Sequence, residues 1–268
     1  MNEAEIRRIV EASPLAACAD EIMKMTVPAV KMNAYLVEEG DDLPLGASRM
    51  GGAPDLPRDA PWPENKGRPV EFLVQIDFAV AAEAYRLPGF PDSGWVTFFR
   101  DLRAMEDGHY DDDGQWYWLH FDCAADQLVR TGHPGEPVHR FNFCEVTFEP
   151  ELCLPNDIHE RFGGGDEAQE EEAYEYFDNS VWDTLNGPYH RLGGLPMLIQ
   201  SDMDDYRGWD FLMQIDSDDE VGWMWGDAGR IYTWGKRKGR VVRALTRDRT
   251  VAPLDRYFSA LYAEEEFY

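Results

Sequence analysis

"EFLVQIDFA" at residues 71–79 and "DFLMQIDSD" at residues 210–218 share the string Phe-Leu-x-Gln-Ile-Asp. Two further matches flank this pair in the same order. "SRMGGAPDLP", 48–57, aligns with "HRLGGLPMLI", 190–199, and "SGWVTFF", 93–99, aligns with "AGRIYTW", 228–234. Three ordered matches at nearly constant spacing read as a repeated unit over approximately 48–99 and 190–234: a Gly-Gly-x-Pro loop, a Gln-Ile-Asp strand, then an aromatic strand. The period is too long for a solenoid, and two copies are too few. The expected fold is therefore α+β and mainly antiparallel sheet. One domain over 1–268 would hold two internally duplicated β-rich halves with peripheral helices.

Outward from the repeat, Ile6, Ile9 and Val10 mark one face of a helix over 3–12. Ser13-Pro14 fits the start of a second helix running to about Met25, so the N-terminal helices occupy 3–25. Residues 28–39, 70–78, 93–100 and 140–152 read as strands, and 41–68 as an ordered Gly/Pro-rich loop. Residues 106–122 read as a hairpin arm turning at Asp111–Gly114. The stretch 155–185 reads as helix with a break at Gly163–Gly165, with Tyr174 and Phe177 on one side. Strand signals return at 197–200, 210–216, 229–236 and 240–246. Leu254, Tyr257, Phe258 and Leu261 predict a terminal helix from Pro253 to about Glu265.

The chain carries 52 acidic and 25 basic residues, a net charge of −27. Such a field repels nucleic-acid phosphates and anionic membrane surfaces. It suits a basic protein partner, a cationic ligand or a divalent metal, and it also keeps a chain soluble. Cys18, Cys123, Cys144 and Cys153 form no CxxC pair, and the N-terminal stretch has no apolar signal core. Free thiols and a cytoplasmic location are expected.

The candidate site residues lie mostly in the second copy. Asp216 and Asp218 on one strand would share a face about 7 Å apart. With Asp219, Glu220 and Asp227 they could gather around a hard cation, although the EF-hand glycine and glutamate are missing. The other reading is a solvated loop in which Asp216 caps a turn. Trp223 and Trp225, with Trp209, Trp234, Trp116 and Trp118, fit either an aromatic wall for a cationic ligand or a core. His190 stands where the first copy has Ser48, which singles it out. Gln75 and Gln214 read as buried amides bonded to loop backbone. Asp77 and Asp216 would accept bonds from the Gly-Gly loops. Gly51, Gly52, Gly193 and Gly194 read as tight turns at positive φ. No Gly-Lys-Ser/Thr or GxGxxG follows them, which argues against a phosphate cradle. His120 and Cys123 give HxxC, but Cys144 and Cys153 are spaced too widely for a second zinc pair. No GxSxG or other nucleophile motif occurs. No metal or cofactor is assigned.

The run Arg49–Pro57, "FLVQID" at 72–77, "HRLGGLP" at 190–196 and "LMQIDSDDEVGWMWGDAGRIYTW" at 212–234 resemble the YwqG-like family, a bacterial domain of unknown function. The likeness covers roughly residues 28–250. It implies a mixed α+β fold and a cytoplasmic bacterial protein, and no particular reaction. The first copy, Gln75-Ile76-Asp77-Phe78, lacks the acid cluster of the second, so any site built on the acids is single. Two function classes fit. One is a non-enzymatic interaction protein of antitoxin, immunity or adaptor type, whose acidic surface docks a basic partner. The other is a small-ligand or divalent-metal-binding protein, or a hydrolase, with its site between the halves.

Overall fold

The computed structural model describes residues 1–38, 42–103, 116–184, 188–200, 206–237 and 258–266. In chain order its strands are β1 (Val27–Leu36), β2 (Arg49–Met50), β3 (Asp55–Pro57), β4 (Glu64–Asn65), β5 (Arg68–Pro69), β6 (Glu71–Asp77) and β7 (Trp95–Arg100). They continue as β8 (Trp116–Phe121), β9 (Leu128–Arg130), β10 (Cys144–Cys153), β11 (His190–Gly193), β12 (Asp210–Asp216), β13 (Arg230–Arg237) and β14 (Phe258–Glu266). Ten of them form one antiparallel sheet in the order β14-β13-β12-β11-β1-β10-β2-β6-β7-β8. The α+β class is as expected.

The sheet is organised about its middle. β1 and β10 pair over ten residues, from Val27 opposite Cys153 to Leu36 opposite Cys144. A four-strand flank lies on each side. In one, Arg49 faces Gln75 and Met50 faces Val74; in the other, Arg191 faces Gln214 and Leu192 faces Met213. The Gln-Ile-Asp strands then meet their aromatic neighbours in matching register. Gln75, Ile76 and Asp77 face Thr97, Val96 and Trp95, while Gln214, Ile215 and Asp216 face Tyr232, Ile231 and Arg230. Both β6 and β12 break register between their Phe and the residue two further on, as a bulge does. The bulge at Leu73 lets Phe72 join an outer cluster with Leu56 and Phe99, while Val74 and Ile76 enter the main core. On the other flank Phe211 joins an outer cluster with Tyr206, Tyr232 and Trp234.

The inner face is covered by two crossing arms. The segment after β6 begins with the helix Phe78–Ala84 and supplies Phe78, Ala81 and Leu87 to the core. It reaches the opposite flank, where the Cβ that Gly193 lacks would lie 3.0 Å from Leu87. The segment 217–229 crosses the other way. Val221 accepts a hydrogen bond from the Asn142 backbone N–H, and the Trp225 ring lies 5.9 Å from the Arg100 guanidinium at the end of β7. A separate cluster joins Ile6, Ile9, Val10 and Ile22 of the N-terminal helices to Ile158, Ala173 and Phe177.

Several expectations change. The segment 258–266 is a strand, not the terminal helix of Pro253–Glu265; pairing with the edge of β13 overrides its helical periodicity. Residues 197–200 form a loop. The second N-terminal helix is a 3-10 turn at Ala16–Cys18 followed by Ala19–Met23. Tyr174 is exposed, and the buried side of its helix, Glu167–Thr184, carries Ala173 and Phe177. The turn 111–114 and the strand at 240–246 lie outside the described residues. Among the described residues, no helix is long and apolar enough to cross a membrane.

Gly194 has φ +73°, and a Cβ there would lie 2.6 Å from the Ala29 Cβ and 2.8 Å from the Cys153 Sγ. Gly67 has φ +75° with open space around it. In urea denaturation, Gly194→Ala is expected to cost about 2–4 kcal/mol and Gly67→Ala about 1 kcal/mol. Equal losses would mean that backbone strain, not the close approach of β1 and β10, fixes the turn.

Candidate functional site

The Gly-Gly turns and glutamines behave as framework. Gly51, Gly52, Gly193 and Gly194 all have φ between 61° and 73°. Gln75 accepts from the Asp55 N–H and donates to the Ala47 carbonyl, while Gln214 accepts from the Met197 N–H and donates to the Tyr189 carbonyl. Each amide is fully buried and ties together the two ends of one Gly-Gly loop. The aspartates depart from expectation. Asp77 accepts from the Ala79 N–H and caps the helix that follows it. Asp216 takes the Tyr189 N–H and the Arg230 Nε on one oxygen, and its own neighbour's N–H, that of Ser217, on the other. Neither carboxylate binds the glycines, because the turn's reversal aims those N–H groups elsewhere; that of Gly51, for example, goes to the Leu73 carbonyl.

Ser48 and His190 do occupy matching points. The Ser48 hydroxyl accepts from the Asp77 N–H at 2.8 Å, and the His190 Nδ1 accepts from the Asp216 N–H at 3.0 Å. An accepting Nδ1 places the ring proton on Nε2, which donates to Asp218 at 3.0 Å. Both ring nitrogens of a buried histidine are thus occupied. Burial would push the Asp218 carboxyl up, but the His190 hydrogen bond and the N–H groups of Glu220 and Val221 hold it below the usual carboxylate range. The Trp223 ring packs edge-on to His190 at 5.8 Å, and the Trp225 Nε1 donates to the Asp216 carbonyl. Trp223, Trp225 and Trp234 are buried as core.

The residues singled out by sequence therefore divide. His190, Asp216, Asp218, Trp223 and Trp225 come together in a packed plug, and Asp219 and Asp227 face solvent. Among the described residues, no group of three or more His, Cys, Asp or Glu is placed to hold a metal ion. Cys144, beneath the plug, has its thiol pushed up to about 12 by burial and by Asp218 and Glu220, which removes it as a nucleophile near neutral pH.

A groove of about 540 Å³ opens beside the first Gly-Gly turn. Arg130, His133, His139, Arg140, Trp62 and Phe143 are among its lining residues. The signal for it was present in the sequence: 130–140 holds two Arg, two His and one acid in a strongly acidic chain. That local sign reversal vanishes when charge is summed over the whole chain.

A family model described as a domain of unknown function (DUF1963) matches residues 48–239. The chain belongs to this family. The match takes in both Gly-Gly turns, both Gln-Ile-Asp strands, the plug and the groove segment. No curated protein matches the chain.

Asp218→Ala leaves the His190 Nε2–H buried without a partner and is expected to cost about 2–3 kcal/mol in denaturant unfolding. Because the folded carboxyl titrates below its unfolded value, its contribution is complete above the unfolded pKa and is lost as pH falls through the folded one. Asp218→Asn should therefore flatten the acid limb of the stability profile, below about pH 4. An unchanged acid limb would remove Asp218 as a contributor.

Proposed function

We propose that this protein is a non-enzymatic interaction protein that docks a basic partner on the solvent side of the helix Glu167–Thr184. The carrying observation is a stripe one helical face wide: Glu167, Glu171 and Tyr174, with Glu172 and Glu175 beside it, all exposed. Carboxylates four residues apart repel by a few tenths of a kcal/mol per pair, and no basic residue stands in the last turn to offset the helix dipole. A basic surface relieves that repulsion. Tyr174, about half exposed, adds an amphipathic ring of the kind that anchors interfaces.

The bonding of the plug supports a binding role over catalysis. His190, Asp216 and Asp218 spend their polar atoms on one another, on the Arg230 side chain and on backbone. The same reading keeps the protein in the cytoplasm, as the YwqG-like resemblance implies. It also takes the whole chain as one domain and derives the two flanks from one duplicated unit. The support for duplication is the shared register of β2, β6 and β7 with β11, β12 and β13.

Affinity capture from cytoplasmic extract at about 50 mM and about 500 mM salt tests the docking face. The wild type is expected to retain a basic partner at low salt only. The double variant Glu171→Lys, Glu175→Lys should fail to retain it while keeping its circular dichroism. Equal capture by the variant would overturn the assignment.

A further inference from the structure

The groove beside the first Gly-Gly turn carries a second function, independent of the acidic helix. We infer that it binds a small amphipathic anion, a carboxylate or phosphate head on a flat apolar body. Its volume, about 540 Å³, lies within the usual range for small-molecule sites. Its lining sets Arg130, Arg140, His133 and His139 against Asp42 and Glu71, in a chain whose acids outnumber its bases 52 to 25. Glu71 is buried and spent on the Leu102 and Val138 N–H groups.

Arg130 is fixed in the wall. Its Nε donates to Asp55 and its Nη2 to the Leu43 carbonyl, and its guanidinium lies 5.5 Å from the Phe143 ring centre. Asp55 is fully buried and also binds the buried Arg49, so one interior carboxylate faces two guanidinium groups. The second balancing charge is Asp42, which meets the Arg130 Nη1 from a side chain 71% exposed. Exposed ion pairs contribute little net stability. An anionic head can therefore replace Asp42 on Arg130 without disturbing the buried bonds. Asp42 is the internal occupant of a position suited to a ligand.

Two neighbours complete the head site. Arg140 has a side chain 76% exposed, and its contact with Glu136 is 3.6 Å long and equally open to water, so the guanidinium can turn onto a ligand. The His133 Nδ1 sits against the backbone of Gly135, while its Nε2 is buried and, among the described residues, has no hydrogen-bond partner. A buried nitrogen without a partner is costly, and a turn of the ring off Trp62, which it meets edge-on at 5.4 Å, would let a ligand oxygen satisfy it. Trp62, Phe141 and Phe143 supply flat apolar surface for the body.

Thermal shift and tryptophan fluorescence with four probes test the inference: indole-3-carboxylate, its neutral carboxamide, adenosine monophosphate and inorganic phosphate. Saturable binding is expected for at least one of the two amphipathic anions, about tenfold tighter than for the carboxamide or for phosphate alone. Which anion binds distinguishes a carboxylate from a phosphate head. Arg140→Glu should weaken binding by about tenfold or more, and Asp42→Asn should tighten it by removing the competing carboxylate. Both positions are exposed, and circular dichroism confirms that the variants fold. The inference is overturned if neither anion binds the wild type or Asp42→Asn, if the carboxamide binds as well as the carboxylate, or if Asp42→Asn weakens binding.

Discussion

A buried carboxamide holds each flank of the sheet together. Gln75 and Gln214 each bond a backbone N–H on one side of a Gly-Gly turn and a carbonyl on the other. The loop ends are drawn onto the strand, and only a left-handed pair of residues closes the path between them, which is why glycines stand there. Backbone groups left unpaired at such depth would each lose the full cost of their desolvation. The path of each loop over its strand follows from where these amides lie.

On that shared skeleton the two flanks are filled differently. One uses a serine hydroxyl to receive the backbone N–H of the strand's aspartate, and the other uses a histidine that then needs Asp218. One aspartate opens a helix, and the other pairs with Arg230. The arginines beside the turns diverge as well: Arg49 answers to Asp55, and Arg191 to Glu151 of β10. The flanks agree where backbone must be satisfied and differ where a side chain must find a partner.

Much of the framework was legible because the paired sequence motifs fall at matching register in the sheet. Phe-Leu-x-Gln-Ile-Asp placed two bulged strands correctly, and the positive-φ turns followed from their glycine pairs. The acids left a cation site and a capped turn both open, because their partners are set by the fold. Asp216 reads as either until Arg230 is brought opposite it and the Tyr189 N–H behind it. Leu254, Tyr257, Phe258 and Leu261 keep helical spacing, but an open strand edge at β13 takes 258–266 into the sheet. Register could have warned of this, since β13 matches β7, and β7 already has an outer neighbour in β8. The groove escaped notice because its wall comes from separate stretches, near residues 42, 62 and 130–143.

The position of β1 has a consequence for what counts as the unit of folding. This strand precedes the region covered by the family model, yet it bonds β10 along one edge and β11 along the other. Without it, the ladder from β12 would end at β11, the ladder from β6 would end at β10, and no described strand pairing would join them. The recognisable family segment is thus two partial sheets, and a strand outside it turns them into one.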